Sequence, residues 1–321
     1  MTNVRDRVYF CECWCRDGLQ NVKKIISTED KVAMINAFSK TGYARIETTS
    51  YSNPKRLPQF ADASEVLKTI DRDPNVSYKV TCINDKALDR AIEAKNEGYG
   101  PNEISTMISV SEPHNKFNTG MTNEVHWKQI DAMIGLALKN DLRVIATLGT
   151  VYGCPIAGDV LPEVVYEAVK RYVELGAQFV CLGDTTGAGN PTNVTEIFGE
   201  LKVRYPKITF VAHFHDTRGA GLANAVAAYE AGVRYFDSAL GGIGGQPVGS
   251  SKYHLGFSGN VCTEDLASMF EEMGIPTGLD LKKVLENGHK AEEILDEPQR
   301  SNVLRCGLVV HKPEDYVADK I

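Results

Sequence analysis

Eight short apolar runs, each followed by a helix-forming stretch, constrain this chain more than any other feature. The runs fall at roughly 7–14, 43–49, 76–83, 103–110, 142–149, 178–183, 208–215 and 233–239. The stretches between them, amphipathic or rich in alanine, fall at roughly 28–41, 61–72, 86–97, 122–140, 161–176, 192–205 and 219–231. Thr28-Glu29-Asp30 opens the first helix with a capping residue and first-turn acids, and Gly42, Gly98, Gly176 and Gly232 stand where helices end. Short strands separated by helices pair in parallel through right-handed crossovers. Eight of them predict an α/β fold, a closed (β/α)8 TIM barrel, ahead of a doubly wound open sheet.

No linker or low-complexity segment divides the 321 residues. Two more helices are predicted over roughly 263–274 and 280–296. The first completes the barrel. Residues 1–275 are therefore expected to form the catalytic domain, and 276–321 a C-terminal helical extension and tail packing on it. A formal net charge of −7 argues against a nucleic-acid or anionic-membrane surface. No apolar run is long enough to span a bilayer, and the polar N-terminus lacks a signal-peptide core, so a cytoplasmic location is expected. None of the eight cysteines forms a CxxC pair. Cys11, Cys13 and Cys15 alternate along the first predicted strand and read as small apolar residues on one core face, with a thiolate metal site as the minor alternative.

Chemistry in such a barrel gathers where strands end. Those ends carry Arg16-Asp17-Gly18-Leu19-Gln20-Asn21, Glu47-Thr48-Thr49-Ser50, Gly183-Asp184-Thr185, His213-Phe214-His215-Asp216 and Asp237-Ser238. His213 and His215, two apart on a strand, project to the same side. With the Asp17 carboxylate they make three ligands for a divalent cation, and a neutral amide oxygen could complete the set. Mg²⁺ or Mn²⁺ is expected first, with Co²⁺ or Zn²⁺ as alternatives. Arg16 is left to face a developing oxyanion. Glu47 and Asp184 either orient the other groups, act as acid or base, or cap the turn that follows. The glycine-rich stretch at 241–249 lacks the GxxxxGK[ST] pattern and reads as a lid.

Taken together these stretches resemble the hydroxymethylglutaryl-CoA lyase family of metal-dependent TIM-barrel carbon–carbon lyases. The resemblance also draws on Gly153-Cys154-Pro155, Gly241 to Gly245, Ser258-Gly259-Asn260 and Thr263-Glu264-Asp265-Leu266, in family order. It implies that Asp17, His213, His215 and Asn260 bind a divalent metal, with Arg16, Glu47, Asp184 and His213 as catalytic residues. The reaction implied is retro-Claisen cleavage of a 3-hydroxyacyl-CoA to acetyl-CoA and a keto acid, with Arg16 stabilising the thioester enolate. Leu19 matches the lyase branch, where the condensing synthases carry Glu. Substrate contacts are expected from Gln20, Lys23 and Lys24, the lysines for CoA phosphates, and from Gln246, Tyr253 and His254. The implied partner is an acyl-CoA, and the implied assembly a homodimer. One departure stands out: Gln246 occupies the position of the family's loop cysteine, which protonates the enolate. That leaves open a related lyase for another hydroxyacyl-CoA or hydroxy acid, a Claisen-condensing acyltransferase, and a non-catalytic binding member.

Overall fold

A computed structural model describes residues 5–245 and 259–311. Its strands are β1 (Tyr9–Glu12), β2 (Arg45–Ser50), β3 (Ser77–Thr81), β4 (Glu103–Ser109), β5 (Arg143–Gly149), β6 (Phe179–Asp184), β7 (Thr209–Phe214) and β8 (Tyr235–Ser238). They pair in chain order and β8 closes onto β1, in parallel, from Tyr9↔Tyr235 to Glu12↔Ser238. The closed (β/α)8 barrel is thus present, and the open sheet is not.

The helices are α1 (Thr28–Ser39), α2 (Ala63–Thr69), α3 (Asp85–Asn96), α4 (Glu112–Thr119), α5 (Asn123–Lys139), α6 (Pro162–Glu174), α7 (Pro191–Arg204), α8 (Gly221–Glu230), α9 (Thr263–Glu272), α10 (Leu281–Leu295) and α11 (Asn302–Cys306). The first helix is capped one residue earlier than expected: the Ser27 side chain accepts from Asp30 N. Helix α4 carries no apolar period and escaped the pattern. It is held by polar packing instead, since buried Asn115 accepts from His126 Nδ1 at 2.9 Å and donates to Met121 O at 3.1 Å. Helix α10 lies against the end of α1, where Asn287 Nδ2 donates to Thr41 Oγ1 at 3.0 Å and Lys283 Nζ to Lys40 O at 3.0 Å. Gly42 permits that approach. Its φ is +107°, and a Cβ there would lie 2.2 Å from Gly278 O.

Two cores result. Between sheet and helices, Ile46, Val80, Ile104, Val144, Val180, Phe210 and Phe236 are buried in one apolar shell, with Phe236 and Phe10 packed on Phe270 of α9. The barrel interior is different, because charged residues meet there across non-adjacent strands. Arg45 on β2 pairs with Glu103 on β4 and lies over Phe179 on β6, and Lys79 on β3 reaches Asp237 on β8. Cys11 and Cys13 share this interior, their sulfurs 3.8 Å apart. Cys15 does not, correcting the three-in-a-row expectation: β1 stops at Glu12, and Cys15 turns into the shell core.

Glu12 ties the end of β1 to the opposite loop. Its carboxylate accepts from Trp14 N and Leu240 N, each at 3.0 Å, and from Thr263 Oγ1 at 2.8 Å. Burial outweighs these donors and pushes its pKa up to about 8. The folded chain therefore keeps a proton that the unfolded chain releases near the ordinary carboxylate value. Stability is present at low pH and falls as pH rises towards 8, by about 1.4 kcal/mol per pH unit for one such group. Glu264, pushed to about 7, contributes with the same sign. The melting temperature of the metal-free protein is expected to fall from pH 5 to pH 8, and Glu12→Gln to flatten the slope. Thermal melts at a series of pH values decide it; equal slopes for both proteins refute it.

Candidate active site

The polar strand ends converge at one mouth of the barrel. After β1 the chain makes a wide five-residue turn over Trp14–Gly18, closed by Gly18 N donating to Cys13 O at 3.0 Å. Wide helical turns of this kind re-aim side chains, often at functional sites. Here the turn presents Arg16 and Asp17. On the opposite side a short bridge pairs His215 with Asn260, fixed by Asp216 N to Gly259 O at 2.7 Å and Val261 N to Phe214 O at 3.0 Å. The 241–245 loop then crosses Asp17 closely. A Cβ on Gly244 (φ +97°) would stand 2.4 Å from Asp17 O and 2.7 Å from Asn260 Nδ2, so only glycine admits the crossing.

Asp17, His213 and His215 present ligand atoms within 4.8 Å of one another. Each imidazole is oriented from behind. His213 Nδ1 faces Asp237 Oδ2 at 3.2 Å and His215 Nδ1 faces Thr185 O at 2.9 Å. Both partners accept only, so each neutral ring carries its hydrogen on Nδ1 and a lone pair on Nε2. The two Nε2 atoms nevertheless lie 3.0 Å apart. At that distance the pair either shares a proton, which the Asp17 carboxylate beside His215 favours, or takes a common cation in its place. Asn260 bears on the same choice. Its Nδ2 donates to Asp17 Oδ2 at 2.7 Å and to Ile243 O at 2.9 Å, while its buried Oδ1 has no hydrogen-bond partner among the described residues. An unmet buried acceptor costs about 1–3 kcal/mol. The donor set of carboxylate, two imidazoles and an amide oxygen suits a divalent cation.

Burial alone would raise the Asp17 pKa, but Arg16 and the two histidines hold it well below the usual range. Arg16 gives Nε to Glu47 Oε1 at 2.7 Å and Nη1 to Asp17 Oδ1 at 3.0 Å and Gln20 Oε1 at 3.2 Å. Glu47 also accepts from Thr81 Oγ1, and sits at a register shift between β2 and β3. Burial pushes its pKa up, Arg16 and Lys79 push it down, and the cations win.

Asp184 does something more local. Its two oxygens accept from Ala188 N at 2.7 Å and Gly189 N at 2.9 Å, so it orders the turn whose Thr185 carbonyl holds His215. Lys23 and Lys24 are both exposed, and Lys24 Nζ donates to Ile294 O at 2.8 Å, on α10. Gln246, Tyr253 and His254 lie outside the described residues. Sequence reasoning passed over three contributors: Lys79, the Thr185 carbonyl, and Asp237 as the partner of His213. The available signal was a lysine inside an otherwise apolar strand, at Tyr78-Lys79-Val80.

Residues 7–289 match the HMGL-like family model. The chain is 39% identical over 290 residues to hydroxymethylglutaryl-CoA lyase YngG of Bacillus subtilis, covering 90% of this chain and 94% of that protein. It is 36% identical over 306 residues to the mitochondrial hydroxymethylglutaryl-CoA lyase of Homo sapiens, covering 95% and 91%. The structure of an HMG-CoA lyase from Acinetobacter baumannii, in complex with coenzyme A and 3-methylmalate, superposes with a TM-score of 0.89 at 35% identity, covering 97% of this chain and 99% of that one.

Burial lowers the His215 pKa, but the Asp17 carboxylate outweighs it and the net shift is upward. A cation at Nε2 displaces that proton, so affinity should climb as pH rises through the imidazole range. Mn²⁺ titrated into metal-free protein, followed by electron paramagnetic resonance, is expected to bind with this pH trend. His215→Ala and Asp17→Asn should each weaken it at least about tenfold. Unchanged binding in both variants would remove these residues from the site.

Proposed function

The chain belongs to the HMGL-like family, and on that footing we propose that it is a metal-dependent lyase. The reaction is retro-Claisen cleavage of a 3-hydroxyacyl-CoA, hydroxymethylglutaryl-CoA in the first instance, to acetyl-CoA and a keto acid. One observation carries the proposal: Arg16 stands at the edge of a cluster whose Asn260 Oδ1 has no partner among the described residues and whose two imidazole Nε2 atoms face each other at 3.0 Å. Asp17, His213, His215 and Asn260 would hold the cation, Mg²⁺ or Mn²⁺. When bound, such an ion acidifies a substrate hydroxyl and neutralises charge on the oxygens it orients.

The rest of the work falls to the chain's own groups. A base takes the substrate's hydroxyl proton, that oxygen becomes the carbonyl of the keto product, and the broken carbon–carbon bond leaves its electron pair on a thioester enolate. Arg16, always charged and planar, spends Nε and Nη1 on Glu47, Asp17 and Gln20. Among the described residues no hydrogen bond is made by its Nη2 amino group, which on this proposal donates to the enolate oxygen. Because the fork is already held, little reorganisation accompanies charge development, and the interaction strengthens mainly in the transition state. Glu47 acts through Arg16. Asp184 acts through the turn that holds His215, and Asp237 through His213. Lys23 and Lys24, both exposed, are the candidates to meet the CoA phosphates, and Lys24 would have to release Ile294 O to do so. A homodimer in the cytoplasm belongs to the same proposal. Among the described residues no helix is long and apolar enough to cross a membrane.

A second reading keeps the chemistry and changes the substrate. It rests on Gln246, since a glutamine cannot deliver the proton that the family's loop cysteine supplies. A panel of 3-hydroxyacyl-CoA substrates, assayed for acetyl-CoA release with Mg²⁺ or Mn²⁺, is expected to show turnover on at least one. Arg16→Ala should lower kcat on it by about 10²–10³-fold. Silence across the panel, or an undiminished Arg16→Ala, overturns the assignment.

A further inference from the structure

We infer that Lys79 is a positioning residue for this site, joining the group that holds the catalytic arginine to the group that orients a metal-ligating histidine. The inference rests on the lyase reading above for its activity arm, and on geometry alone for its binding arm. Lys79 is 3% exposed on its side chain and stands inside the barrel. Its Nζ lies 3.6 Å from Glu47 Oε2 and 3.6 Å from Asp237 Oδ2. Glu47 on β2 fixes Arg16; Asp237 on β8 fixes His213. The resulting run crosses the barrel with alternating charge: Arg16, Glu47, Lys79, Asp237, then His213.

A buried ammonium is tolerated only when it is paired, and so are buried carboxylates. Lys79 meets both needs at once. Burial works against its charge, but the Asp237 and Glu47 carboxylates outweigh that and keep it protonated. Glu47 Oε2 has no hydrogen-bond partner among the described residues, and neither has Asp237 Oδ1. Lys79 is therefore the cation that Glu47 Oε2 faces, and without it two buried carboxylates compete for what remains. Glu47 would lose its hold on the Arg16 orientation, and Asp237 its hold on the His213 tautomer. Neither loss touches the substrate directly, so the defect should fall on turnover and on cation binding rather than on acyl-CoA affinity.

Lys79→Met keeps much of the volume and removes the charge. It is expected to lower kcat by about 10–100-fold and Mn²⁺ affinity by about tenfold, with KM for the acyl-CoA within about threefold of the wild type. Lys79→Ala should regain turnover and Mn²⁺ affinity with added ethylammonium, and not with 1-propanol, a neutral molecule of similar size. Wild-type kcat and Mn²⁺ affinity in Lys79→Met would overturn the inference, as would rescue of Lys79→Ala by the alcohol as good as by the amine. If Lys79→Met does not fold, Lys79→Ala purified with ethylammonium and then freed of it supplies the same comparison. A wild-type protein inactive on every substrate would defeat the lyase reading, and the Mn²⁺ comparison would then decide the role of Lys79 alone.

Discussion

Charge placed inside a closed barrel has to be paired, and that requirement organises this molecule. The interior is narrow, so inward side chains from all eight strands converge on a small volume without bulk water. Many barrels fill it with branched apolar residues. Here Arg45, Glu47, Lys79, Glu103 and Asp237 enter it, all buried. In so low a dielectric a lone charge would be expelled or neutralised. Each is instead matched, Arg45 to Glu103 at the lower level and Lys79 to Glu47 and Asp237 above it. The upper level ends at Arg16 and His213, where paired charge becomes usable charge at the mouth.

The same principle explains how rigid the mouth is. The described site residues have partners that are themselves anchored. His215 depends on the Thr185 carbonyl, whose turn is held by Asp184; Arg16 depends on Glu47, which a threonine and a lysine hold in turn. Such nested support holds a reactive geometry within a fraction of an ångström. It also leaves Asn260 Oδ1 without a hydrogen-bond partner among the described residues, and the two imidazole Nε2 atoms with only each other, at 3.0 Å, as hydrogen-bond partners among those residues. The Asp17 carboxylate and the two imidazoles, with ligand atoms within 4.8 Å of one another, are donors of the kind that a cation takes.

Much of this is legible in the sequence, and the limits have physical causes. The eight strands announce themselves because each needs an apolar outer face for the helical shell. Their ends are less clear, since polar strand-end residues look like loop; β1 stops at Glu12 and β8 at Ser238, each shorter than its apolar run suggests. Helix α4 was invisible because it packs through Asn115 and not through a hydrophobic stripe. In the site, Arg16, Asp17 and the histidine pair stand out from spacing and strand-end position, and Asn260 from the family resemblance. The bridge that seats Asn260 beside His215 is a matter of tertiary pairing over 45 residues of chain (260 − 215 = 45). Lys79 and Asp237 could not be matched from sequence, because nothing local records which strands face one another across a barrel. Asp184 shows the converse, a strand-end acid whose oxygens are both engaged by the turn it caps.

The glutamine at position 246 changes what the rest of the chain must do, and the cysteines bear on it. A replacement proton donor has to reach the enolate from the open side of the cluster. Cys11 and Cys13 lie inside the barrel, packed on Ala239. Cys154 is buried and its sulfur accepts from Ser111 Oγ at 3.0 Å and Ala157 N at 3.2 Å. Cys262 follows Asn260 by two residues, but its thiol donates to Glu264 Oε2 at 2.8 Å, and burial and the acids beside it push its pKa up. Cys181 sits against Asp237, below the histidines. None of these thiols is disposed to stand in for the family's loop cysteine. On the lyase proposal the proton has to come from elsewhere, and Tyr253 and His254 are the acids that the sequence offers near position 246. A phenol or an imidazolium differs from a thiol in reach as well as acidity.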